Sequence, residues 1–106
     1  MENKFYSLKG LRVFSVDKDV DSCEVKFDGD ISLSIYNLCS VTDFDEKAIE
    51  SLSGMVVNDI LIDQETFRLV FDRLDKSFDV DLRDSAFRGP EAMVLRIPDQ
   101  PIFVWV

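Results

Sequence analysis

The run from Leu52 to Leu82 repeats an earlier run, Leu8 to Ile35, and this duplication limits the folds open to the chain more than any other feature. Leu8-Lys9-Gly10-Leu11-Arg12-Val13 returns as Leu52-Ser53-Gly54-Met55-Val56-Val57. At the same offset Val16 returns as Ile60, Asp19 as Asp63, Val25 as Leu69, Phe27 as Phe71 and Asp28 as Asp72. The register then slips by one residue, so that Ile31-Ser32-Leu33-Ser34-Ile35 is echoed by Lys76-Ser77-Phe78-Asp79-Val80. A fixed period of this length marks a duplicated supersecondary unit.

Within the first copy, Leu11, Val13 and Phe14-Ser15-Val16 alternate roughly and end in the polar run Asp17 to Ser22, which predicts a strand and a turn. Cys23-Glu24-Val25-Lys26-Phe27 alternates cleanly, and Asp28-Gly29 supplies residues that tolerate φ > 0 in a tight hairpin. Ile31, Leu33 and Ile35 then face one way, completing a three-stranded meander. In the second copy Phe67-Arg68-Leu69-Val70-Phe71-Asp72-Arg73-Leu74 is ambiguous, because Phe67, Val70, Phe71 and Leu74 fit a helical stripe as well as a strand. The repeat decides for strand, because Leu69 and Phe71 stand where Val25 and Phe27 stand. Phe78, Val80 and Leu82 complete the second meander, with Asp79, Asp81 and Asp84 facing out.

Three segments lie outside the repeat. Met1 to Tyr6 reads as a short polar lead. Thr42 to Leu52 has a capping residue, acidic first-turn residues and apolar Phe44, Ala48, Ile49 and Leu52 at helical spacing, which predicts one short helix over 43–52. After Gly89-Pro90-Glu91-Ala92, the run Met93 to Ile97 predicts a strand, since Pro98 and Pro101 leave little length for a helix. Ile102-Phe103-Val104-Trp105-Val106 predicts a last strand, apolar on both faces and therefore buried on both. The expected fold is mainly β: a single domain over 1–106 with internal duplication (8–35 and 52–82). Two antiparallel meanders and two C-terminal strands form a sandwich or a partly open barrel.

The 21 acidic and 12 basic residues leave a net charge of −9, which argues against nucleic acid and anionic membrane surfaces as partners, both being polyanions. A basic protein surface is the complementary expectation. Cys23 and Cys39 lack metal-ligand spacing, and without any histidine there is no zinc set, no triad and no ready neutral-pH base. Glycines occur singly, so no phosphate-cradling loop is present. Asp17, Asp19 and Asp21 have the spacing of a calcium loop's first ligands, but Ser22 stands where the loop needs glycine and Asp28 where it needs glutamate. An ordinary solvated turn is the better reading. Gly89-Pro90-Glu91 reads as strand entry before it reads as a functional corner. The start Met1-Glu2-Asn3-Lys4 has no apolar signal region and no segment reaches membrane-spanning length, so a cytoplasmic, reduced protein is expected. These features predict a binding protein that is not an enzyme and needs no cofactor or metal.

The duplicated Leu-x-Gly unit (Leu8 to Gly10, Leu52 to Gly54), the Phe27-Asp28-Gly29 hairpin, the Gly89-Pro90-Glu91-Ala92 segment and the closing Trp105 resemble small bacterial immunity proteins. Such proteins neutralise toxins in contact-dependent and polymorphic toxin systems. Arg73 departs from the pattern, standing where the second hairpin would carry glycine. The resemblance implies a one-to-one complex with the C-terminal domain of a cognate toxin, with specificity left to variable surface residues. A nuclease, which presents a basic groove to nucleic acid, fits the charge. Asp43, Asp45, Glu46 and Glu50 are the leading contact candidates, because a connection between repeats can vary without disturbing the core. The outward Asp79, Asp81 and Asp84 are the second group. The rival reading is a small-ligand carrier whose sheet encloses a Phe-lined pocket.

The closing strand provides a stability test. Ending the chain at Phe103 removes Trp105, and losing a large aromatic from a core costs about 3–5 kcal/mol. Thermal melting should therefore show a much weakened or unfolded domain, and wild-type melting would reject the placement.

Overall fold

The computed structural model describes residues 4–18, 22–41, 52–72, 77–87 and 89–105, apart from the side chains of Lys18 and Val41. The duplicated units are both antiparallel meanders: β1 (Val13–Lys18), β2 (Cys23–Phe27) and β3 (Ile31–Ile35) in the first, β5 (Val57–Ile62), β6 (Thr66–Phe71) and β7 (Ser77–Asp81) in the second. Between them lies β4 (Cys39–Val41), and β8 (Met93–Arg96) and β9 (Phe103–Trp105) follow. The strands form two sheets, ordered β1-β2-β3-β8-β9 and β4-β7-β6-β5. Their inward faces share one apolar core. The architecture is the expected mainly-β fold, two antiparallel sheets of five and four strands that do not close into a barrel.

The pairing registers of the two meanders correspond. Val25 pairs with Leu33 and Leu69 with Phe78, so the one-residue slip falls between the second and third strands of the second copy. Both first strands carry a β-bulge at the same place, between Val13 and Ser15 and between Val57 and Asp59. A bulge adds one unpaired residue and resets the alternation. Val13 and Val16 therefore both turn inward, as do Val57 and Ile60, while Phe14 and Asn58 are left outside.

The copies meet through reciprocal backbone hydrogen bonds. The Gly10 and Val57 amides donate to the Val57 and Leu11 carbonyls, and the Gly54 and Val13 amides donate to the Val13 and Met55 carbonyls, all at 2.8 Å. Arg12 and Val56, equivalent residues of the two copies, face each other in an antiparallel bridge. Equivalent residues contacting each other is what an internal twofold axis requires. Gly10 and Gly54 sit at φ 89° and 87°, a region that costs any residue with a Cβ.

The far edges are closed by exchange. β4, which follows the first meander, pairs with β7 of the second, Cys39 opposite Val80. β8, which follows the second meander, pairs with β3 of the first, Met93 opposite Ile35. The two crossing segments are stitched together where they pass: the Tyr36 amide donates to the Ala92 carbonyl at 2.9 Å, and the Asp81 amide to the Leu38 carbonyl at 2.9 Å. The buried Asn37 side chain adds a bond from Nδ2 to the Asp81 carbonyl at 2.7 Å. The three-residue β4 escapes sequence reading because so short a segment carries no periodicity; only its partner strand defines it.

Two expectations are corrected. The lead is not simply polar: Lys4–Leu8 is a 3-10 helix whose i, i+3 residues Phe5 and Leu8 share one face and enter the core. The last strand is not buried on both faces. β9 pairs only with β8 and forms an edge, leaving Val104 42% and Ile102 58% exposed. Its inward Trp105 is half-buried and meets Phe5 and Phe67 edge-to-face at 5.3 and 6.3 Å, so one ring still joins the N-terminal helix to both sheets. The strand expected over 93–97 is present as β8. The helix expected over 43–52 falls outside the described residues except for Leu52, which is buried.

A Cβ at Gly10 or Gly54 would meet nothing within 4 Å, so alanine there costs only the left-handed backbone, about 1–2 kcal/mol. Urea unfolding of Gly10→Ala and Gly54→Ala should show losses of that size, equal within error. A large inequality would break the twofold equivalence.

Candidate functional site

Strand alternation puts Asp79 and Asp81 on the outer face of the four-stranded sheet, as expected, but it puts Arg68 there too, directly opposite Asp79. Arg68 grips the carboxylate through two donors, Nε to Oδ1 at 2.8 Å and Nη2 to Oδ2 at 3.0 Å, and the Ser77 hydroxyl adds a third bond at 3.2 Å. Asp81 is held by Arg83, with Nη2 to Oδ2 at 2.7 Å and the Arg83 backbone amide to Oδ1 at 3.0 Å. The two aspartate side chains are only 18% and 22% exposed. They line an open groove of about 400 Å³ together with Ser40, Glu65, Thr66 and Arg83.

The electrostatics follow from those contacts. The side-chain and backbone hydrogen bonds from Arg83 hold the Asp81 carboxyl below the usual aspartate range. The hydrogen bond to Asp79 and its charge hold the Arg68 guanidinium above its ordinary value. Asp81 acts on Arg83 in the same way. A carboxylate pinned in its anionic form by an adjacent guanidinium is a poor proton donor, and much of its charge is already answered within the chain.

The predicted contact residues that are described do not all lie together. Asp79 and Asp81 share the groove. Asp84 is exposed in a short 3-10 helix, Asp84–Ala86, and lines a different depression with Trp105 and Pro90. Asp43, Asp45, Glu46 and Glu50 lie outside the described residues. So do Asp19 and Asp21 of the calcium-like run, whose Asp17 pairs with Lys26 at 3.8 Å. Among the described residues no group of three or more cysteine or acidic side chains is placed to hold a metal ion. Gly89 and Pro90 lie exposed before β8, and the Ala92 amide bonds to the Trp105 carbonyl at 2.8 Å. Phe67, Phe71 and Phe78 are packed in the core, and Phe27 is buried beneath the first hairpin. No helix among the described residues is long and apolar enough to cross a membrane.

A larger depression, about 690 Å³, lies on the outer face of the five-stranded sheet beside the first hairpin. Phe14 stands at its margin, 70% exposed. Around it, Arg12 pairs with Asp28 at 2.9 Å and Lys26 approaches Glu24 at 3.7 Å. Asp30 stands at the hairpin tip in the left-handed region, beside Gly29. Reading the sequence by alternation alone passes over Phe14. The signal was available in the repeat, which aligns Phe14 with Asn58 and so marks an apolar residue where the fold accepts a polar one.

The chain shows no match to any protein-family model, curated protein or solved structure with which it was compared.

Because the folded-state pKa of Asp81 is depressed, its pairing stabilises the protein above the unfolded value of about 3.9 and is lost as pH falls through the lower folded value. Asp81→Asn should therefore lower the melting temperature at pH 7, and the gap to wild type should close as pH drops below about 4. Thermal melts across pH 2.5–7 check this; a gap that persists at the acid end would show that the loss is not electrostatic.

Proposed function

We propose that this protein is an immunity protein: a non-catalytic, acidic inhibitor that forms a one-to-one complex with the C-terminal domain of a cognate bacterial toxin, a basic nuclease. The observation that carries the reading is the net charge of −9 on a small sandwich whose two meanders are tied by reciprocal main-chain bonds. Such a scaffold can present side chains in fixed positions at little ordering cost. A groove built to hold a polyanion would attract its surface, and a protein of standard interface size seated there would exclude the substrate. The duplicated Leu-x-Gly units, the Phe-Asp-Gly hairpin and the Gly-Pro-Glu-Ala segment support the same role through their likeness to immunity proteins. In that setting the protein would work in the cytoplasm, beside the nucleic acid it protects.

The test is direct. Genes for immunity proteins tend to lie beside those of their toxins, so the domain encoded immediately upstream is the binding partner to titrate. Tight binding that abolishes the domain's activity is expected, with association slowing by roughly tenfold or more between low and physiological salt. No detectable binding at low salt would reject the reading.

A further inference from the structure

The two copies of the repeat provide an internal control for every surface residue. At the bulge of the first strand one copy carries Phe14 and the other Asn58, at the same register position and with both side chains outside. The fold therefore does not require an apolar residue there. Phe14 is 70% exposed, and it leaves a large ring in water where the second copy shows that a polar side chain serves. Bulges re-aim side chains, and aromatic residues, Phe among them, are enriched at protein interfaces.

The surroundings fit such an anchor. The depression beside Phe14 is bounded by Arg12, Glu24, Lys26, Asp28 and Asp30, three carboxylates against two cations. Asp17 stands directly opposite Glu24 in the strand register and adds a fourth. Arg12 holds Asp28 closely at 2.9 Å, but Lys26 is held loosely, 3.8 Å from Asp17 and 3.7 Å from Glu24, with all three of these side chains extensively exposed. Exposed pairs of this kind contribute little and are easily exchanged for an incoming cation. The Asp79 and Asp81 carboxylates of the opposite face, gripped by Arg68 and Arg83 and themselves largely buried, are much less open to exchange.

We propose that the Phe14 depression is the docking surface for the toxin domain, an inference that rests on the immunity reading above. The matching segment of the toxin presents an apolar side chain to Phe14, flanked by Lys or Arg that take over Asp17 and Glu24 from Lys26. The ring supplies lifetime and the carboxylate rim supplies encounter rate.

The experiment measures binding kinetics with the upstream-encoded domain for wild type, Phe14→Asn, Phe14→Leu, Glu24→Lys and Leu61→Asn. Leu61 is an exposed apolar residue of the other sheet and serves as the control. Phe14→Asn copies the second repeat, so its melting temperature should match wild type, while its affinity falls at least about tenfold through faster dissociation. Phe14→Leu should retain most of the affinity, Glu24→Lys should slow association several-fold, and Leu61→Asn should change nothing. Wild-type affinity in both Phe14→Asn and Glu24→Lys would overturn the docking surface while leaving the immunity role intact. Absence of binding by the wild type would overturn both. If Phe14→Asn were to melt early, Glu24→Lys decides the matter, because it changes charge on an outward position without touching the core.

Discussion

Four main-chain hydrogen bonds, two from each Leu-x-Gly unit to the first strand of the other copy, hold the molecule in register. They depend on two glycines that turn the chain in the left-handed region just before the strands begin. Because Arg12 faces Val56 on the internal twofold axis, whatever geometry one copy adopts is imposed on the other. The strands then diverge into separate sheets, and the wedge between them is filled by the inward residues of both meanders.

That arrangement makes strand exchange natural. A meander of three strands has one edge fixed at the twofold axis and the other open. Each copy closes its partner's open edge with the strand that follows it, β4 on β7 and β8 on β3. Open edges invite unwanted pairing, and mutual closure leaves neither half complete without the other. The added β9 extends only the first sheet, which gives the two outer faces different sizes and different chemistry despite their common origin.

The difference between the faces matters for recognition. On the four-stranded sheet, arginines emerge at the register positions opposite and beside the aspartates, and bidentate geometry neutralises a surface that a charge count would score as acidic. On the five-stranded sheet Lys26 is held weakly between Asp17 and Glu24, and the Phe14 ring is exposed. Net charge sets the long-range field that a partner meets first; local pairing decides which carboxylates remain available when it arrives.

The meanders, the hairpin after Phe27, the strand identity of Phe67 to Phe71 and even the one-residue slip were legible in the amino-acid sequence, because alternation and repetition are local properties that a strand must satisfy wherever it packs. The outward direction of Asp79 and Asp81 was legible for the same reason. The exchange of β4 and β8, the edge position of β9, the burial of Phe5 and Leu8 and the pairing of Arg68 with Asp79 were decided only by the tertiary structure. Each depends on which strand lies alongside which, and residues distant in the chain leave no periodic trace of their pairing. Phe14 falls between the two cases: the repeat could show that its aromatic character is not required, but only the bulge and the sheet around it show that the ring stands in water.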